Sequence, residues 1–251
     1  MTHRIVLDGT SLTRADVLAV ARAGAGVTLD PDRLHTVQHA ADFLAAQVAR
    51  QEPIYGVTTG FGSNADKLLG AHRARDELPG GNPEQVEGTL LEELQRNLVI
   101  THAVCVGEPL PVEVVRAMLV LRINTLMRGH SGIRASTLEA LAELLNRGVS
   151  PLIPQKGSVG ASGDLAPLSH LAIVLLGGGE AFVEGERLPG ADALARVGLA
   201  PLRLSFKEGL ALNNGTTQML ATAVLAIERL RELVDTADLA AAMTLEAFAG
   251  R

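Results

Sequence analysis

Apolar residues recur at helical spacing along most of the chain, and strict alternation is brief. Ile5-Val6-Leu7 followed by Asp8-Gly9 predicts a short strand running into a turn. Residues 11–23 predict a helix capped by Ser11 or Thr13. Asp30-Pro31 predicts a helix start with proline at its first position, and the pattern carries on to about Arg50. Residues 52–64 are rich in Gly and Thr and predict a loop. Helical patterns follow over residues 86–104, 111–127 and 131–146, the last closed by Gly148. A buried apolar helix is expected after Asp164, ending at Gly177-Gly178-Gly179. Residues 181–188 alternate about Glu184-Gly185 and predict a hairpin, followed by a short helix and connector over 189–199. From Leu210 the helical pattern runs unbroken to the end. Leu220, Val224, Ile227, Leu230 and Val234 share one stripe there, and Glu228, Arg229, Arg231 and Glu232 are placed on the exposed side.

The predicted fold is mainly α. A globular N-terminal region with a small β component (1–205) leads into a long helical bundle, whose first arm is 206–251. Gly250-Arg251 carries no closing motif, so the bundle is expected to continue beyond it.

Composition narrows this picture. The chain has 251 residues, 47% of them hydrophobic, which is enough for a substantial core. Aromatics are 2%, with one Tyr and no Trp, so that core must be aliphatic. A net charge of -6 with scattered Lys and Arg argues against nucleic acid or an anionic membrane as a main partner. The single cysteine, Cys105, permits no internal disulfide, fits a reducing cytoplasm, and is most simply a small buried residue on a helix. The opening residues lack the apolar stretch of a secretion signal, and no apolar run is long enough to span a bilayer. A soluble cytoplasmic protein is expected.

The run Gly157-Ser158-Val159-Gly160-Ala161-Ser162-Gly163-Asp164-Leu165 carries the most chemistry. An isolated Ala-Ser-Gly is most simply a turn. A phosphate loop would end in Gly-Lys-Ser/Thr, whereas Lys156 precedes these glycines. A nucleophile elbow would need glycine where Asp164 stands. A third possibility is covalent. The amide nitrogen of Gly163 is unhindered and can attack the carbonyl of Ala161 if the backbone bends tightly, closing a five-membered ring with loss of water. Ser162 can lose its hydroxyl as a second water. The product, a 4-methylidene-imidazol-5-one, is an electrophile that ordinary side chains cannot supply, and it would serve an enzyme in need of an electron sink.

Four segments together resemble the aromatic amino acid ammonia-lyases. They are Gly157 to His170 (GSVGASGDLAPLSH), Tyr55 to Gly62 (YGVTTGFG), Leu210 to Thr216 (LALNNGT), and Leu94 to Ala103 (LQRNLVITHA) in its histidine-specific form. The resemblance covers essentially the whole chain but about the first half of a family member. It implies elimination of ammonia from an α-amino acid, with the electrophile formed autocatalytically from Ala161, Ser162 and Gly163 and no external cofactor. Tyr55 resembles the catalytic base; a free tyrosine titrates near ~10, so the site must tune it. Asn214 resembles the residue that hydrogen-bonds the electrophile, although an asparagine there could equally be a helix N-cap. Asn213 reads as structural.

His102 resembles the residue that contacts the substrate's imidazole. Thr101-His102 favours histidine over the apolar pair of phenylalanine enzymes and the His-Leu of tyrosine enzymes. The implied reaction is L-histidine to urocanate plus ammonia. A homotetramer assembles the implied site, and the absent second half supplies further residues, so residues 1–251 alone are expected to be inactive. Asp164 is placed to polarise the cyclising amide. His35 and His39 have metal-ligand spacing but no third ligand, so no metal is expected; His130 and His170 read as structural. The charged, glycine-rich stretch 67–88 is longer than the family pattern and is expected to be a surface excursion. The rivals are a tyrosine or phenylalanine lyase, an aminomutase on the same scaffold, and a non-catalytic helical assembly module whose Ser-Gly loop never cyclises.

Overall fold

The computed structural model describes residues 4–50, 52–62, 83–160 and 163–250, with the backbone alone for 83–89. In chain order the elements are β1 (Ile5–Leu7), α1 (Arg14–Ala23), β2 (Val27–Leu29), α2 (Pro31–Ala49), α3 (Pro83–His102), β3 (Val106–Pro109), α4 (Val112–Leu126) and α5 (Ala135–Asn146). Then come β4 (Ser150–Pro151), β5 (Pro154–Lys156), α6 (Leu165–Leu175), β6 (Glu180–Val183), β7 (Glu186–Pro189), α7 (Gly190–Arg196), α8 (Glu208–Asn213) and α9 (Thr217–Ala247). The protein is mainly α with a small β component, as its hydrophobic pattern predicts. No described helix is long and apolar enough to cross a membrane.

Local chemistry explains the boundaries. Thr13 and Asp16 form a reciprocal capping box at the start of α1, so of the two expected caps Thr13 takes the role. Asp30 caps α2 with Pro31 behind it. Asp8 closes the turn after β1 by accepting from the amides of Thr10 and Ser11 at 2.7 and 2.8 Å, and these bonds hold its carboxyl well below the usual range. The predicted hairpin is β6–β7, turning at Glu184-Gly185, both at positive φ. Four strands have no clear period in the sequence. β2 pairs parallel to β1 across α1, β3 pairs with β5, and β4 joins the hairpin as a third strand. Strands of two to four residues are too short to show an alternation.

α4 lies at the centre. Val115, Ala117, Met118, Leu119, Val120 and Ile123 are buried all round it, against α1, α5 and α9. The core is aliphatic, built from Leu, Val, Ile, Ala and Met. A second small cluster gathers Leu44, Val48, Val57 and Leu91, with Ile54 and Phe206 against it. It seats the loop that carries Tyr55 on α2 and α3.

Several expectations are corrected. The helix expected to run unbroken from Leu210 is interrupted: Asn214 takes an extended backbone (φ -88°, ψ 116°), ends α8, and α9 starts afresh at Thr217. The surface excursion placed at 67–88 is in part helix, because α3 already runs from Pro83; its residues 67–82 lie outside the described residues. On α9 the buried positions are Thr217, Gln218, Ala221 and Leu225. The stripe containing Leu220, Ile227, Leu230 and Val234 is exposed instead. Of the charges expected on the exposed side, Arg229, Arg231 and Glu232 are exposed, Arg229 still reaching Glu113, whereas Glu228 is half-buried beside Arg14.

Glu208, wholly buried in the first turn of α8, fixes that helix to α5. Its carboxylate accepts from Arg134 Nη2 at 2.7 Å, Arg134 Nε and N at 3.1 Å, Thr137 Oγ1 at 2.6 Å and Ser205 N at 2.6 Å. The carboxylate in turn raises the pKa of Arg134. Replacing Glu208 by Ala strands these donors. Arg134 is 37% exposed and can rehydrate, so the expected loss is near the low end for a broken buried pair, about 3 kcal/mol. Urea unfolding of Glu208→Ala against the parent checks this; a shift under about 1 kcal/mol contradicts the account.

Candidate active site

The four motif segments converge through helix packing and a few hydrogen bonds. α3 ends in His102, α6 follows the Gly157–Asp164 loop, and α8 ends in Asn213; the three helices pack on one another. Tyr55 sits in a turn built on the carbonyl of Ile54, which accepts from the amides of Val57, Thr58 and Thr59. Its ring meets Phe61 edge-on, with centroids 6.0 Å apart. It is 53% exposed, and its phenol oxygen accepts from Gly62 N at 3.2 Å.

Of the Ala-Ser-Gly tripeptide, Ala161 and Ser162 lie outside the described residues. The loop is fixed on either side of them. Gly163 N donates to Gly160 O at 3.2 Å, and Val159 N donates to Gly163 O at 3.3 Å. The chain therefore doubles back within four residues. A Cβ on Gly163 would stand 2.7 Å from both Gly160 N and Val159 Cγ2, so only glycine fits. The bend and the glycine-only fit at residue 163 are compatible with a tripeptide that cyclises through the Gly163 nitrogen.

Asp164, next in the chain, is wholly buried. Its carboxylate accepts from Ser158 Oγ and from Met219 N at 3.0 Å. Met219 is the third residue of α9, whose own N-cap position, Thr216, makes no side-chain cap. Asp164 thus caps α9 from another element. Its amide also donates to Gly215 O at 3.2 Å, which ties the loop to the linker after Asn214.

Asn214 is exposed and is the C-cap of α8, not an N-cap. Its backbone carbonyl accepts from Arg122 Nη2 at 2.8 Å, and the same nitrogen reaches Ala211 O. Arg122 is 4% exposed and has no carboxylate partner among the described residues. Burial lowers its pKa to about 10, so it remains charged at neutral pH. It suits the carbonyl end of a helix, where cations are favoured. Asn213 is wholly buried; its Nδ2 donates to Ser169 Oγ at 3.1 Å, while its Oδ1 has no donor.

His102 is half-buried at the end of α3. Its Nδ1 lies 2.8 Å from Leu98 O, and since a carbonyl can only accept, Nδ1 is the donor there, which in the neutral ring leaves Nε2 as the acceptor. No hydrogen bond among the described residues joins Tyr55, His102 and Asn214 to one another. Residues 12–251 match the family model described as aromatic amino acid lyase.

The chain belongs to the aromatic amino acid lyase family.

This member of the family is 51% identical over 240 residues to the histidine ammonia-lyase of Symbiobacterium thermophilum, covering 96% of this chain and 44% of that protein. Among solved structures it is similar to the tyrosine aminomutase of Streptomyces globisporus (36% identity, TM-score 0.85, 98% of this chain and 43% of that one). It is also similar to the histidine ammonia-lyase of Trypanosoma cruzi (35% identity, TM-score 0.84, 99% and 45%). The chain spans under half the length of the curated relatives it matches.

Among the buried polar residues of this family member that the sequence reading does not single out are Gln95, Arg122 and Glu208. The signal was available. Gln95 lies among Leu91, Leu98 and Val99, and Arg122 between Val120 and Ile123, each a polar residue at the spacing of an apolar face.

Cys105 is buried, as expected, but in the connection between α3 and β3 rather than on a helix, and its amide donates to His170 Nε2 at 3.1 Å. Burial pushes its thiol up to about 11, with the Asp164 charge adding to the rise. Because the folded pKa is the higher one, the thiol's contribution is full below its ordinary 9.0 and is lost as pH rises toward about 11. Comparing urea midpoints of the parent and Cys105→Ala across that range should show the parent losing more stability; parallel profiles contradict it.

Proposed function

We propose that this chain is part of an enzyme that eliminates ammonia from L-histidine to give urocanate, acting in the cytoplasm. The observation that carries the reading is the convergence of the four motif segments on α8, in a chain 51% identical to a histidine ammonia-lyase. A methylidene-imidazolone formed from Ala161, Ser162 and Gly163 would supply an electron sink for the departing amine. The remaining roles belong to ordinary side chains.

Acting as the phenolate, Tyr55 accepts the substrate's β-proton on its oxygen, toward which Gly62 N donates. As that proton leaves, the C–N electron pair departs with the nitrogen as ammonia and the Cα–Cβ double bond forms. His102 presents Nε2 as an acceptor to the N–H of the substrate imidazole, because Leu98 O occupies its other nitrogen. Asn214 offers a carboxamide donor beside the loop, where developing charge is stabilised. Arg122 and Asp164 keep Asn214 and the loop in register through backbone contacts.

The exposed apolar residues of outer α9, including Leu233, Leu239, Met243 and Phe248, support assembly into a helical bundle. We read this bundle as that of a homotetramer, with residues 1–251 contributing about the first half of each subunit and being inactive alone.

Intact mass is the primary test. The tripeptide 161–163 should be lighter by two waters, and Ser162→Ala, which has no hydroxyl to lose, should not show the two-water loss. A whole enzyme that forms urocanate with an unmodified tripeptide overturns the reading. Tyr55→Phe should lower kcat by about 10²–10⁴-fold. His102→Leu should raise KM for histidine, and a substrate panel that preferred tyrosine or phenylalanine, or returned a β-amino acid, would assign the protein to the lyases of those substrates or to the aminomutases. An unmodified mass with no turnover leaves the assembly module.

A further inference from the structure

Gln95 is a wholly buried carboxamide with no part in the chemistry above. Its two ends face different segments. Nε2 donates to Gly56 O at 3.1 Å. Oε1 accepts from Gly209 N at 3.1 Å and Leu210 N at 3.4 Å. The amide orientation follows from the partners, since a carbonyl needs a donor and an amide N–H needs an acceptor. Gly209 and Leu210 are the second and third residues of α8, whose N-cap position, Lys207, makes no side-chain cap. Gln95 therefore takes the cap's place from a neighbouring helix, and with the same side chain grips the peptide next to Tyr55. The approach is close: a Cβ on Gly209 would stand 2.6 Å from Gln95 O. The Tyr55 ring itself is half in solvent and, among the described residues, meets Phe61 edge-on.

We infer that Gln95 is a positioning residue that sets the Tyr55 backbone against the α8–Asn214 segment, through one carboxamide bonded to both. The inference rests on the reading of Tyr55 as the base, but its structural half can be tested without turnover.

The variants are Gln95→Met, which removes both bonds, and Gln95→Glu. A buried Glu keeps its acceptor for α8. It can donate to Gly56 O only when protonated, a form that burial favours. Tyr55 is the only tyrosine in this chain and there is no tryptophan, so tyrosine fluorescence anisotropy of residues 1–251 reports its motion alone. Anisotropy should be lower in Gln95→Met at every pH. In Gln95→Glu it should be low on the alkaline side and recover reversibly on acidification.

In the whole enzyme kcat should follow the same pattern, falling at least about tenfold in Gln95→Met with KM little changed, and the pH profile of Gln95→Glu should move toward acid. Parent-like anisotropy and kcat in Gln95→Met would overturn the inference, as would a Gln95→Glu protein that shows no recovery on acidification. Should Gln95→Met fail to fold, the reversible recovery in Gln95→Glu decides. If the parent enzyme releases no ammonia from any amino acid, the functional reading fails while the anisotropy series still decides the positioning role.

Discussion

Two helices meet at Asn214, and neither caps itself. The six residues of α8 are far too few to form a stable helix in isolation, and the first amides of α9 have no side-chain cap from its own N-cap residue. Unpaired donors there would cost as much as lost hydrogen bonds. Other elements satisfy them: Gln95 takes the amides of Gly209 and Leu210, and Asp164 takes that of Met219. Glu208 and Arg122 secure α8 at its two ends. The site holds its shape because these orphan groups are answered from a distance.

This arrangement explains why the motif segments contain more residues than the chemistry uses. The glycine of the LALNNGT segment region that matters for packing, Gly209, lies just before it and lets α3 come close enough for Gln95 to reach. Asp164 follows Gly163 directly, so the residue that closes the turn and the residue that docks it on α9 are neighbours in the chain. Tyr55 owes its placement to Val57 in the small apolar cluster and to a peptide bond held by Gln95, while its own ring stays largely in solvent.

Much of this was legible beforehand, for physical reasons. Amphipathic helices such as α2 and α5 declare themselves by period, the central α4 by its apolar length, and the β6–β7 hairpin by its Glu-Gly turn. The break between α8 and α9 was not legible, because Leu210, Leu212 and the alanines keep a helical spacing straight through it. Only Arg122, drawn from α4 to the carbonyls of Ala211 and Asn214, shows what favours the interruption. The two-residue β4 and the non-alternating β5 leave no period to detect. The stripe of Leu220, Ile227, Leu230 and Val234 was found at the right spacing, yet the helix turns a different edge, Gln218, Ala221 and Leu225, toward the core. Periodicity reveals an apolar face but does not say which neighbour covers it.

The bonds that define the site span long stretches of sequence. Gln95 and Gly209 are 114 residues apart, Arg122 and Ala211 89, Arg134 and Glu208 74, and Asp164 and Met219 55. Each loop must close before its bond stabilises anything. During synthesis, Gln95 leaves the ribosome long before any acceptor or donor on α8 exists for it. The aliphatic core around α4 can begin to gather earlier, but the segments carrying Tyr55, His102 and Asn214 are drawn together late in biogenesis, once the first turn of α9 has been made.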